Sequence, residues 1–268
     1  MLRPLILIAL MAALGLALAT GASGGPPPGY ELRSTSVGPK HPYIDGRRKV
    51  TLHYGFAADR PIGIEIRVVQ DRSGNTVRIW RERHVAPGRR HEREWNGLNR
   101  RGRPVPDGRY VFRIGPIGGR LERGGRTRIH GNTYPIDGPH SPRGAIGEFG
   151  APRSGGRTHE GYDELADCGT PLVAARGGRV KKAGYDGALY GYYVLIDGYR
   201  INRDYFYAHL VAPARVDDGQ RVHTGAALGR VGRTGNAAST PCHLHFELHV
   251  HGRPIDPEPA LRRWDRWS

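Results

Sequence analysis

The sequence predicts an all-β protein, mostly antiparallel, built as two units. Three observations lead there. Apolar and polar residues alternate over several short stretches, the period-2 signature of half-buried strands. Few stretches carry helical periodicity, and 40 glycines mark frequent turns rather than long helices. A chain of 268 residues suits about two domains.

The elements follow in order. Arg3, the apolar run Leu5 to Leu16 and Ala17-Leu18-Ala19 read as a secretory signal over residues 1–19. The apolar segment is about 15 residues, shorter than the ~20 needed to cross a bilayer, so no stable membrane span is expected after cleavage. No cysteine follows the run, which excludes a lipoprotein anchor at this point. Residues 20–45 are rich in Gly, Pro and Ser and read as a linker.

A small β-sandwich is expected over 46–117. Val50, Leu52, Tyr54 and Phe56 share one strand face, Ile62, Ile64, Ile66 and Val68 another, and Tyr110, Phe112 and Ile114 a third. Asp71-Arg72-Ser73-Gly74-Asn75 supplies a turn, and Val77 to Trp80 resumes a strand. The segment Trp95-Asn96-Gly97 through Val105-Pro106-Asp107-Gly108-Arg109-Tyr110 resembles the Ig-like module of flagellar hook-capping proteins and many bacterial surface proteins. That resemblance implies a spacer or binding module rather than chemistry. Residues 118–133, Gly- and Arg-rich and poor in apolar side chains, read as the interdomain linker.

A second, compact antiparallel unit is expected over 134–260, with a tail at 261–268. Its strands include Tyr193 to Ile196 and Tyr205 to Leu210. Between Val216 and Gly232, apolar residues and glycines recur at short intervals, which suits tight turns with positive φ.

Charge and cysteine usage narrow the function. The formal net charge is +16, mostly from arginine, which favours polyanionic partners. Export redirects that from nucleic acid toward anionic cell-wall polymers. The Arg-rich stretches also lack the interleaved aromatics of a base-stacking surface, having only Trp80 nearby and Trp95. Cys168 and Cys242 are the two cysteines, and in an exported chain a disulfide is the natural reading. Closing a loop of about 75 residues contributes ~4 kcal/mol on the chain-entropy model.

The chemistry concentrates in a few positions. In His243-Leu244-His245-Phe246-Glu247, strand alternation puts His243 and His245 on one face and Leu244 and Phe246 toward the core. Glu247 shares the histidine face, either as a supporting partner or as a solvated strand-end charge. His159 and Asp163 lie four apart among Gly155, Gly156 and Gly161, so a turning segment rather than a helix brings them together. Tyr205, Tyr207 and His209 are expected on one face of another strand. His and Asp are ordinary zinc ligands, and a catalytic zinc takes three protein ligands with one open position. Spacing alone does not say which of His243 and His245 would bind metal. No His-Glu-x-x-His is present, so the proton-handling group must come from the remaining histidines.

From His-x-Gly-x-Asp at 159–163, through Gly169-Thr170-Pro171-Leu172-Val173-Ala174-Ala175 and Tyr207-Ala208-His209-Leu210, to His-x-His at 243–245, the chain resembles the lysostaphin-type (LytM-like) zinc metallopeptidases that cut peptidoglycan peptides. The resemblance implies one Zn2+ on His159, Asp163 and His245, with His209 and His243 as catalytic histidines. It implies attack of zinc-activated water on a peptide carbonyl of a cell-wall cross-link, by a protein secreted or held in the envelope. A bond between Cys168 and Cys242 would tie the segment bearing the first ligands to the His-x-His strand. The rival expectation is a catalytically silent envelope protein that binds the wall and activates another hydrolase. All five family positions are filled, which argues against it.

Overall fold

The computed structural model describes residues 29–43 and 49–268. The expected signal at 1–19 lies outside the described residues. Among those described, no helix is long and apolar enough to cross a membrane.

Seven strands form the first unit: β1 (Glu31–Gly38), β2 (Val50–Ala57), β3 (Ile62–Gln70), β4 (Thr76–Val85), β5 (His91–Trp95), β6 (Gly108–Pro116) and β7 (Glu122–Ile129). They make a three-stranded sheet of order β1-β2-β5 and a four-stranded sheet of order β4-β3-β6-β7, all pairs antiparallel. The alternation read from the sequence supplies the core between the sheets. Leu52, Tyr54 and Phe56 meet Ile64, Ile66, Val68, Tyr110, Phe112 and Ile114, all buried. Trp95 packs edge-on against Tyr110 and Phe112, and its Nε1 donates to the Leu98 carbonyl. It is therefore a core residue with no face for a ligand.

Three boundaries move. Residues expected as the leading linker include β1 and a segment along β7, where the amides of Arg128 and His130 donate to the carbonyls of Lys40 and Pro42. The linker expected at 118–133 includes β7 itself. Both are edge strands held by backbone pairing, and their few apolar side chains gave no alternation to read. The tail expected at 261–268 contains most of a short helix, α1 (Glu258–Trp264), whose Leu261 and Trp264 are buried in the second core. Pro259 and Glu258 in its first turn and Arg262 and Arg263 in its last suit the helix ends.

The second unit has ten strands: β8 (Ser141–Pro142), β9 (Tyr162–Leu165), β10 (Pro171–Val173), β11 (Gly178–Asp186), β12 (Gly191–Gly198), β13 (Arg203–Leu210), β14 (Arg221–Val222), β15 (Ala227–Arg230), β16 (His243–Val250) and β17 (Arg253–Ile255). The main sheet runs β14-β11-β12-β13-β16-β9-β8, with β17 also on β16, and β10 pairs β15 separately. One face packs Val180, Val194, Ile196, Tyr205, Tyr207, Leu244, Phe246 and Leu248 against Leu172, Leu228 and α1. The Val/Gly repeat forms the short strands and turns that close this core. Gly219 and Gly225 take positive φ, while a Cβ at Gly229 would meet Leu210 at 2.7 Å.

Candidate metal centre

β16 delivers its side chains as its alternation dictates. Leu244, Phe246 and Leu248 enter the core, and His243, His245 and Glu247 project from the opposite face. Pairing with β9 sets Asp163 directly opposite His245. His159 lies just before β9, and the chain turns at Gly161 to bring it back over the sheet. A Cβ at Gly161 would stand 2.6 Å from His245 Cε1 and 2.7 Å from the Phe246 carbonyl, so only glycine admits this approach.

Three donor atoms converge as a result. His159 Nε2 is 2.9 Å from His245 Nδ1, and Asp163 Oδ1 is 3.0 Å from each. The triangle is buried and nearly equilateral. Bonds of about 2.0–2.1 Å to a tetrahedral zinc imply ligand separations of roughly 3.3 Å, so the triangle is slightly tight for one face of such a shell. Burial by itself would lower the pKa of His245, but hydrogen bonds to Asp163 and Glu247 outweigh it and raise it to about 9. Burial would likewise raise Asp163, yet bonds from His159 and His245 hold its carboxyl far below the usual range.

Each ring is fixed from behind. His159 Nδ1 donates to the Glu148 carbonyl at 2.8 Å, His209 Nδ1 to that of Thr234 at 2.9 Å and His243 Nδ1 to that of Pro241 at 2.9 Å. His245 Nε2 donates to Glu247 at 2.9 Å. These bonds set the tautomers and leave Nε2 of three rings and Nδ1 of His245 toward the site. Glu247 is thus a buried partner rather than a solvated charge. Burial pushes its pKa up, but bonds from His245 and His249 prevail and bring it to about 2.

His209 does not share a face with Tyr205 and Tyr207. Val194 pairs Tyr207 and Tyr192 pairs Leu210, so Ala208 and His209 together oppose Tyr193. This is a β-bulge, and His209 takes φ +62° within it. The two tyrosines stay in the core while His209 turns toward the site, its ring centre 4.8 Å from His243 and 5.8 Å from His245. Thr234 locks the bulge: its hydroxyl donates to the Leu210 carbonyl and accepts the Tyr192 amide. Burial, reinforced by the neighbouring His245 and His243, depresses His209 to about 3, and burial chiefly lowers His243.

Arg143, which no sequence pattern singles out, also reaches the site. Its Nη1 reaches Asp163 Oδ2 at 3.0 Å and His243 Nε2 at 3.1 Å, and its amide donates to the Asp163 carbonyl. It follows the two-residue strand β8, which no pattern announces. Arg153 stands 3.8 Å from the same carboxylate. These groups open on a groove of about 700 Å3, whose further walls include Ile146, Arg157, Leu189 and Tyr190. The Cys168–Cys242 disulfide ties the loop after β9 to the start of β16.

Residues 157–257 match Peptidase family M23, a span that includes His159, Asp163, His209, His243 and His245 but neither Arg143 nor the sandwich. An L-Ala--D-Glu endopeptidase of Bacillus subtilis is 32% identical over 158 residues, covering 52% of this chain and 45% of the relative. The peptidoglycan DD-endopeptidase ShyC of Vibrio cholerae is 38% identical over 102 residues, covering 38% and 22%. The catalytic domain of lysostaphin from Staphylococcus simulans superposes with a TM-score of 0.40 at 26% identity, over 46% of this chain and 92% of that one. The chain spans less than half the length of the curated relatives it matches.

Proposed function

We propose that the chain is an exported zinc endopeptidase that hydrolyses peptide cross-links of bacterial peptidoglycan. The observation that carries this reading is the buried triangle of His159, Asp163 and His245, with every surrounding ring fixed by a bond from behind. His159 Nε2, Asp163 Oδ1 and His245 Nδ1 would hold the metal. Once bound, zinc would supply Lewis acidity for a peptide carbonyl and for water. The M23 match and the endopeptidase relatives support the peptidase class and the wall substrate.

The remaining roles follow from which atoms are already engaged. His243 accepts an Arg143 N–H at Nε2 and donates from Nδ1, so both its nitrogens are occupied. Among the described residues, His209 Nε2 has no hydrogen-bond partner, while Nδ1 is tied to Thr234. His209 is therefore the proton acceptor, kept neutral by burial beside the other rings. His243 accepts from Arg143 at Nε2 and so would position that guanidinium, whose charge and N–H groups can stabilise the developing oxyanion.

The test is digestion of purified peptidoglycan with muropeptide mass spectrometry. The expected result is cleavage that a chelator stops, zinc restores and His209→Ala lowers by roughly 10²–10⁴-fold. Zinc-loaded protein inert on every wall type would sink the enzyme and leave the activator reading.

A further inference from the structure

The outer face of the four-stranded sheet sets arginines opposite one another in register. Antiparallel pairing sets Arg67 of β3 opposite Arg113 of β6, and Arg113 opposite Arg123 of β7. Ile66, Val68, Phe112 and Ile114 fill the core from alternate positions, so these arginines point away from it. Directly opposed residues have Cβ atoms about 5 Å apart, where like charges repel. Further along, Arg109 opposes Arg128, with Arg126 beside them on β7.

Two of the nearby carboxylates are already committed, while Glu122 stands at the rim beside Arg123. Glu65 is buried between Arg67 and Arg81, and Asp71 stands 3.6 Å from Arg109. Arg113, Arg123, Arg126 and Arg128 are exposed, and none makes an ion pair among the described residues. At one end of the face a concavity of about 550 Å3 is lined by Tyr30, Arg113, Arg120, Leu121, Glu122 and Arg123. The rows repeat about 4.8 Å across strands and ~7 Å along them, close spacing for guanidinium forks that take phosphate oxygens in pairs. Such a row weakens the isolated fold, and an anionic chain laid across it would reverse that cost.

We propose that this sheet face docks a phosphate-bearing polymer of the cell wall. That the polymer is a wall component rests on the proposed site of action, and binding is read separately from hydrolysis.

The full chain would be pelleted, with chelator present, on purified cell walls and on the same walls stripped of phosphodiester polymers by cold hydrofluoric acid. Stripping should weaken binding about tenfold or more, and added salt should weaken it steeply. The quadruple variant Arg113→Gln, Arg123→Gln, Arg126→Gln, Arg128→Gln should lose binding about tenfold, with a melting temperature that holds or rises. It should still cleave soluble cross-linked peptides. Removing four arginines elsewhere (Arg72→Gln, Arg89→Gln, Arg90→Gln, Arg100→Gln) should change binding by no more than about twofold if location rather than net charge decides. Equal binding to stripped walls, equal loss in the control variant, or stronger competition by duplex DNA than by the released polymer would overturn the proposal. Hydrolysis lost with binding intact would count only against the peptidase.

Discussion

Both units set charged side chains on one face of an antiparallel sheet, and they do so with opposite logic. On the second unit, His243, His245, Glu247 and Asp163 line the floor of the groove, buried, and each is bonded to a complementary group. On the sandwich, Arg67, Arg113 and Arg123 face outward in a line of like charge. Buried ionisable groups survive only when paired, so the first face is over-determined and intolerant of substitution. The second tolerates repulsion because water screens it, and it stays open to a partner.

The comparison fixes the sign and order of mutational effects. Asp163→Asn leaves an oxygen at that corner of the triangle but removes the charge that stabilises it. It should abolish zinc binding and lower kcat/KM by roughly a thousandfold or more, read by calorimetry and peptidoglycan digestion. Wild-type turnover in that variant would break the account of the buried face. Glu247→Gln leaves the triangle in place but weakens the support behind His245, so zinc affinity should fall about 10–100-fold in competition with a chromophoric chelator.

Acidity supplies a graded test of the same face. A His245 pKa raised to about 9 keeps the ring protonated at pH 7, so a zinc ion bound there would have to displace that proton. Affinity should therefore climb by about tenfold per pH unit up to ~9 and then flatten, with one proton released per metal at pH 7. For the metal-free fold the sign is the reverse. The raised pKa contributes stability that is complete below about 6.5 and lost as pH rises through about 9. On the outward face the smallest effect should run opposite to the substitutions above. Arg113→Gln should stabilise the fold by about 0.2–1 kcal/mol in urea unfolding at low salt, and less as salt rises. A destabilisation of similar size would show that the row is structural.

Much of this was legible in the sequence, for reasons that also mark where legibility stops. Alternation exposes a strand only when one of its faces is apolar. Leu52, Tyr54, Phe56 and Leu244, Phe246 were readable on that basis, while β1 and β7, with their few apolar side chains, were not. The buried half of α1 escaped because two apolar residues among arginines make too short a pattern. His159, Asp163, His243 and His245 stood out because ligand-type residues at i, i+4 and i, i+2 are unusual together. Arg143 reaches the site through tertiary placement alone. The face of His209 was misread because a bulge leaves no mark on residue type.

That bulge acts on β13 as a one-letter insertion acts on a reading frame. Core positions along the strand fall at Tyr205, Tyr207 and then Leu210, so the count of two becomes three across Ala208 and His209. Everything on either side stays in frame with its neighbours, and the extra letter is the one spelled out into the groove. Deleting Ala208 would restore the count of two, with Leu210 next in frame after Tyr207, and His209 would lose the positive-φ bulge that aims it into the groove. The core side of the strand would read as before, and the one residue it sends to the groove would be spelled differently.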